Sequence, residues 1–89
     1  MAYHLYILKS DKKDTYYSGS SEDPERRLIY HNSESKGYTR RHRPWELVYT
    51  HPFSSKKQGL KAEQIVKQWK SKKMVRLLIQ GVIDINDYL

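Results

Sequence analysis

The segment around which the rest of the chain is organised reads Tyr16-Tyr-Ser-Gly-Ser-Ser-Glu-Asp-Pro-Glu-Arg-Arg-Leu-Ile-Tyr-His31. Its two tyrosines predict a strand, and Gly19 interrupts that strand where the backbone can turn or let another group approach closely. Asp23 followed by Pro24 then predicts a helix start, because aspartate is a favoured N-cap and proline suits the first helical position. The chain therefore changes from strand to helix within a few residues.

Three functional side chains of this strand–helix unit are predicted to converge. Arg27 and His31 are four residues apart, so they share one face of a helix that starts at Pro24. Tyr17 lies at the strand end and can point toward the same face. A phenol, a guanidinium and an imidazole beside Gly19 suit phosphate chemistry.

The remaining sequence predicts two further strands and two further helices. Residues 3–9 alternate without a polar face, which predicts a central buried strand in an antiparallel hairpin with residues 15–20. Residues 45–50 predict a third strand that Pro52 ends. The polar segment 36–43 is predicted to be a loop whose cations contact flanking phosphates; these cations are Lys36, Arg40, Arg41 and Arg43.

The C-terminal half is predicted to be helical. Ser55 opens a capping box, and the helix that follows carries an apolar stripe formed by Ala62, Ile65, Val66 and Trp69. Ser71 caps a further helix that Gly81 ends, with a buried side formed by Met74, Leu77 and Leu78. This order predicts an α+β domain, a three-stranded, mostly antiparallel sheet flanked by about three helices.

Length and composition restrict the class of protein. With 89 residues, we expect a single domain over residues 1–89, and without cysteine neither a disulfide nor a thiolate metal site holds it together. The sequence shows no signal peptide and no membrane span, so a cytoplasmic location is expected. The net charge of +7 and the eight tyrosines fit a nucleic-acid surface, and they fit a solubilising shell equally well.

Four short motifs occur in a specific order: Leu5-Tyr6-Ile7, Tyr17-Ser18-Gly19, Arg27 with His31 and Asn32, and Glu63. In order and spacing the chain resembles the GIY-YIG nuclease superfamily over about residues 3–80, specifically its small single-domain members similar to the nuclease module of UvrC. Two positions depart from the family signatures, since Leu5 replaces a glycine and Ser18 replaces an isoleucine.

The resemblance implies a catalytic set formed by Tyr6, Tyr17, Arg27, His31 and Glu63. Glu63 is implied as the ligand of Mg²⁺ or Mn²⁺, because one carboxylate suffices for an ion that keeps its waters and takes phosphate oxygens. Arg27 would grip the scissile phosphate, and His31 would orient water or polarise a tyrosine. Either Tyr6 or Tyr17 would be the general base, with Tyr17 slightly favoured, and Gly19 would leave room for the substrate backbone.

Three functions follow as hypotheses. The first is a metal-dependent endonuclease acting on DNA, with repair or structure-specific cleavage as its setting and RNA left open as a substrate. The second is a nucleic-acid-binding module with little or no catalysis, which predicts salt-sensitive binding and no metal-dependent product. The third is a scaffold that binds a protein partner through residues 82–89, independently of salt.

Overall fold

A computed structural model of the protein describes residues 2–89. Three strands form one antiparallel sheet: β1 (Tyr3–Ser10), β2 (Tyr16–Ser21) and β3 (Trp45–Phe53), in the order β2-β1-β3. The central position of β1 explains why residues 5–8 are all buried. The α+β fold with an antiparallel sheet, which the sequence predicted, is thereby confirmed.

Four α-helices pack around the sheet: α1 (Pro24–Ser33), α2 (Tyr38–Arg41), α3 (Lys56–Trp69) and α4 (Lys72–Ile79). A short 3-10 helix, Ile85–Tyr88, follows them. The predicted caps are present, because Asp23, Ser55 and Ser71 each accept a hydrogen bond from a backbone N–H of the first turn. Gly81 ends α4 with a φ of 78°, as predicted.

Two boundaries differ from the prediction. Segment 36–43 was predicted to be a loop but contains α2, a single turn with no side-chain cap hydrogen bond and therefore no start signal. The third strand was predicted to end before Pro52 but continues through it to Phe53. Because β3 is an edge strand, a proline without an N–H is tolerated there.

The sheet has a core on each face. On one face, buried residues of β1 and β3 pack against α3, α4 and the C-terminal segment; they are Leu5, Ile7, Phe53, Ala62, Val66, Val75, Leu78 and Ile85. The buried residues of α4 are Val75 and Leu78, whereas Met74 and Leu77, also predicted to be buried, are only half-buried. Ile85 is fully buried, so the C-terminal segment docks on the protein's own core.

The other face of the sheet carries α1. Here Tyr6, Leu8 and Trp45 are buried, and Tyr17 and Leu28 pack against them. Within residues 2–89, no helix combines the length and the apolar character needed to cross a lipid bilayer.

Candidate active site

A phenol and an imidazole are buried together where β1 meets α1. The hydroxyl of Tyr6 lies 3.1 Å from Nε2 of His31, and each residue is only 2% exposed. The Asp23 cap, with Pro24 in the first turn, starts α1 at the point that brings His31 over the sheet. The predicted helical face carrying His31 therefore faces β1.

Burial shifts the pKa values of both groups so that each side chain is uncharged at neutral pH. Desolvation raises the pKa of Tyr6 to about 12, although the nearby Arg27 guanidinium opposes that rise. Desolvation also lowers the pKa of His31 to about 4, and the positive charge of Arg27 adds to this effect. At neutral pH the pair therefore holds a protonated phenol beside a neutral imidazole, which makes Tyr6 a poor source of phenolate.

Gly19 is required by the packing of Tyr6. The two residues are paired across β1 and β2, and a Cβ on Gly19 would lie 2.5 Å from Cζ of Tyr6 and 2.9 Å from its Cε2. Both distances are far shorter than a carbon–carbon contact allows. The space predicted to admit substrate backbone is thus filled by the phenol ring.

Tyr17 is the accessible phenol of the site. Its ring centroid lies 4.7 Å from that of His31, and its side chain is half-buried. It lines a cavity of about 210 Å³ together with Arg27, His31 and Lys36. The Arg27 guanidinium is stacked on the ring of Tyr30, with its Cζ 4.3 Å from the ring centroid. We call the cavity lined by Tyr17, Arg27, His31 and Lys36 the arginine cavity.

Glu63 reaches the same region from α3 around the edge strand β2. Its Oε1 accepts a hydrogen bond of 2.5 Å from the hydroxyl of Ser20, and its Oε2 lies 2.8 Å from Nζ of Lys67. The same ammonium lies 5.5 Å from the ring centroid of Tyr17. Lys67 therefore connects the carboxylate on one face of the sheet to the phenol on the other.

Four of the five predicted catalytic residues thus lie close together, and Glu63 is connected to them from the other face of the sheet through Lys67. Tyr6 and Tyr17 each contact His31, and the charge of Arg27 lowers the pKa values of both Tyr6 and His31. The sequence predicted neither the contact of Ser20 with Glu63 nor the position of Lys67 between Glu63 and Tyr17. The alternation of β2 was the available signal, since it turns Ser20 to the face opposite Gly19 and hence toward α3.

Glu63 fits a metal site that relies on the substrate for most of its ligands. Among residues 2–89, no group of three or more His, Cys, Asp or Glu side chains could hold a metal ion. A lone carboxylate is compatible with Mg²⁺, which keeps several waters and takes phosphate oxygens. In this structure Oε2 of Glu63 is paired with the ammonium of Lys67, four residues further along α3.

The cations predicted to bind substrate fall into two groups. Lys36, Arg40 and Arg41 are exposed around α2, and Lys36 lines the arginine cavity. Arg43 turns inward instead: its Nε donates to the carbonyl of His31 at 2.9 Å and its Nη2 to that of Ser35 at 2.8 Å. The predicted phosphate contact of Arg43 is therefore corrected, because its donors hold the end of α1.

Asn32 is a structural member of the helix motif. Its amide nitrogen donates to the carbonyl of Trp45 at 3.0 Å, and the N–H of Trp45 donates to its Oδ1 at 2.6 Å. The indole N–H of Trp45 in turn donates to the carbonyl of Thr39. Asn32 therefore fastens α1 to the start of β3, next to His31.

The family model of the GIY-YIG catalytic domain matches residues 2–76. The chain therefore belongs to the GIY-YIG family, as the resemblance predicted. Within it, the chain is 35% identical over 80 residues to the UPF0213 protein SSP2268 of Staphylococcus saprophyticus, covering 89% of this chain and 96% of that protein.

Two further relatives extend the comparison. The solution NMR structure of the UPF0213 protein BH0048 from Bacillus halodurans superimposes with a TM-score of 0.54 at 33% identity, covering 88% of this chain and 83% of that one. The structure-specific endonuclease subunit slx1 of Schizosaccharomyces japonicus is 41% identical over 71 residues, which is 73% of this chain. The match spans only 26% of slx1.

Proposed function

We propose that the protein is a divalent-metal-dependent endonuclease that hydrolyses phosphodiester bonds in DNA, with all 89 residues acting as one domain. The observation that carries the proposal is the bridge by Lys67 between Glu63 and Tyr17, beside the cavity that holds Arg27 and His31. Phosphodiester hydrolysis needs a positioned water, an acceptor for its proton and positive charge on the phosphate. The site provides a residue for each requirement.

Each side chain has a defined part in this proposal. Arg27 binds two phosphate oxygens with its planar fork of donors, which stacking on Tyr30 keeps in place. Tyr17 accepts the proton of the attacking water, because Tyr6 is buried and its pKa of about 12 opposes that role. The Lys67 ammonium stabilises the phenolate of Tyr17, the deprotonated form that can accept this proton.

Glu63 would hold Mg²⁺ or Mn²⁺ through one carboxylate oxygen, while Ser20 orients the other. When bound, such an ion stabilises charge on the leaving oxygen as a Lewis acid. His31 keeps the Tyr6 hydroxyl in place at 3.1 Å and presents its ring to Tyr17. The buried pair of Tyr6 and His31 therefore forms a rigid support that positions Tyr17.

The setting of the reaction is a further part of the proposal. The match to a protein named as a structure-specific endonuclease subunit supports branched or nicked DNA as the substrate, and DNA repair in the cytoplasm is the role that we expect. A binding module without catalysis is the second candidate, favoured by one observation. Both carboxylate oxygens of Glu63 already have partners, so Lys67 has to give way before an ion can bind.

Cleavage of supercoiled plasmid and branched DNA by Glu63→Gln decides between the two. The amide keeps an acceptor for Ser20 but loses the charge, so we expect nicking to fall by at least about 100-fold, as losses at metal sites do. Glu46→Gln is the matched control, since Glu46 is exposed on β3 at the opposite edge of the sheet. Wild-type nicking should also stop in EDTA and return with Mg²⁺ or Mn²⁺.

Two results would contradict the endonuclease proposal. Nicking by Glu63→Gln at the wild-type rate would remove the metal assignment. Salt-sensitive DNA binding by a folded wild-type protein that forms no product with any divalent metal would favour the binding module.

A further inference from the structure

A groove beside Tyr17 is lined by several lysines. It has a volume of about 270 Å³ and lies between β2, the end of α3 and the start of α4. Lys67, Lys70 and Lys72 line it, and its lining from residues 2–89 contains no Asp or Glu. We call it the lysine groove. Lys67 is paired with Glu63 outside this lining, but the charged side chains of the lining are all positive and attract an anion.

The lysine groove and the arginine cavity meet at a single residue. The arginine cavity, with Arg27 and Lys36, also has no acidic side chain among the described residues that line it. Tyr17 is the one described residue that lines both spaces. The two positive surfaces therefore flank the phenol to which we assign the proton transfer.

A third cavity, which also contains Arg27, has a balanced charge pattern instead. Its volume is about 580 Å³, and three acidic residues face its three cationic ones, Arg26, Arg27 and Lys56. The acidic residues are Glu22, Asp23 and Glu34. This balanced charge gives a polyanion no preference for the cavity.

The backbone at the base of the lysine groove is also unusual. Lys70 ends α3 in the left-handed conformation, with φ 47° and ψ 37°, a region that favours glycine. Lys70 directly follows the last residue of α3 and comes two residues before Lys72, the first residue of α4. Helix geometry thereby brings two exposed lysines to one wall of the groove.

We propose that the sugar–phosphate backbone of one DNA strand crosses Tyr17, from the arginine cavity into the lysine groove. The scissile phosphate lies at Arg27, and the next phosphates along the strand lie against Lys67, Lys70 and Lys72. This inference rests on the proposed function for the position of the scissile phosphate. The route itself is carried by the charges of the two spaces and by their junction at Tyr17.

The salt dependence of DNA binding tests the route without cleavage. A fluorescein-labelled duplex is titrated in EDTA at several NaCl concentrations with wild type, with Lys70→Gln/Lys72→Gln and with Lys57→Gln/Lys61→Gln. The control pair removes the same charge from exposed positions one turn apart on α3. We expect the slope of log affinity against log salt to fall by about 1.8 for the groove pair and by less than about 0.5 for the control.

The outcomes separate the route from the chemistry. Equal slope changes in the two pairs, or no change in the groove pair, would overturn the route and leave only unspecific charge attraction. A selective loss in the groove pair together with metal-dependent nicking by wild type would support both proposals. A selective loss without nicking would keep the route as a binding surface and refute the endonuclease. Thermal unfolding of both pairs checks that they remain folded.

Discussion

A methyl group at position 19 should disturb the buried pair at the centre of the site. In Gly19→Ala, the added Cβ would lie 2.5 Å from Cζ of Tyr6, so the ring has to move. Tyr6 is only 2% exposed and has little free space around it. Overpacking of this kind costs about 1–3 kcal/mol of unfolding free energy, and loss of the bond to His31 adds about 1 kcal/mol.

Urea unfolding of Gly19→Ala measures this cost, with Gly81→Ala as the control. Gly81 has a φ of 78° and no atom within 4 Å of an added Cβ, so alanine there should cost only the backbone strain of about 1 kcal/mol. A double-mutant cycle with Tyr6→Leu isolates the contact. The shorter side chain removes the clash, and we expect a coupling energy of at least about 1 kcal/mol.

Nicking activity gives the second measurement of the same variant. Displacement of the Tyr6 ring should reduce the rate by about 10-fold or more, since a shift of about 1 Å can cost about 100-fold, whereas Gly81→Ala should nick at the wild-type rate. A Gly19→Ala protein as stable and as active as wild type would refute the packing argument. Additive energies in the double-mutant cycle would show that the cost comes from elsewhere.

Two further predictions concern the residues around α1. Because burial holds the pKa of His31 at about 4, well below the unfolded value of about 6.5, acid favours the unfolded chain. Wild type should therefore lose up to about 3 kcal/mol of unfolding free energy relative to His31→Gln as the pH falls from 7 to 4. If the unfolding free energies of the two proteins change in parallel with pH, the lowered pKa of His31 is contradicted. Arg43→Met should cost about 2 kcal/mol of unfolding free energy, through the lost bonds to the carbonyls of His31 and Ser35. The salt slope of DNA binding should stay unchanged in Arg43→Met but fall by about 0.9 in Arg40→Gln, and the reverse pattern would return Arg43 to the substrate.

Local signals predicted most of the fold. Asp23, Ser55 and Ser71 are strong caps, and the structure begins a helix after each. The single turn α2 has no such cap, and its start at Gly37 could not be read from spacing alone. Because of Pro52, the third strand was predicted to end too early. An edge strand tolerates proline, and the strand order that places β3 at the edge cannot be read from local sequence.

The sequence predicted only part of the arrangement of the candidate side chains. Helical spacing placed Arg27 and His31 on one face, yet spacing could not show that Glu63 lies across the sheet from Tyr17. That relation exists because β2 is an edge strand, which lets Lys67 reach past it. Arg43 looked like a surface cation, since carbonyl partners that are distant in sequence leave no pattern to detect.

The paired hydrogen bonds of Asn32 have a consequence for any attempt to transplant the site. Its side-chain amide meets Trp45 as a neighbouring peptide group would, with one donor and one acceptor. An aspartate would lack the donor, and a leucine would lack both the donor and the acceptor. Only a side-chain amide of this length makes both hydrogen bonds to Trp45. A designer who grafts the arginine and histidine onto another helix must also copy these two hydrogen bonds, because without them the imidazole will lose its position over the sheet.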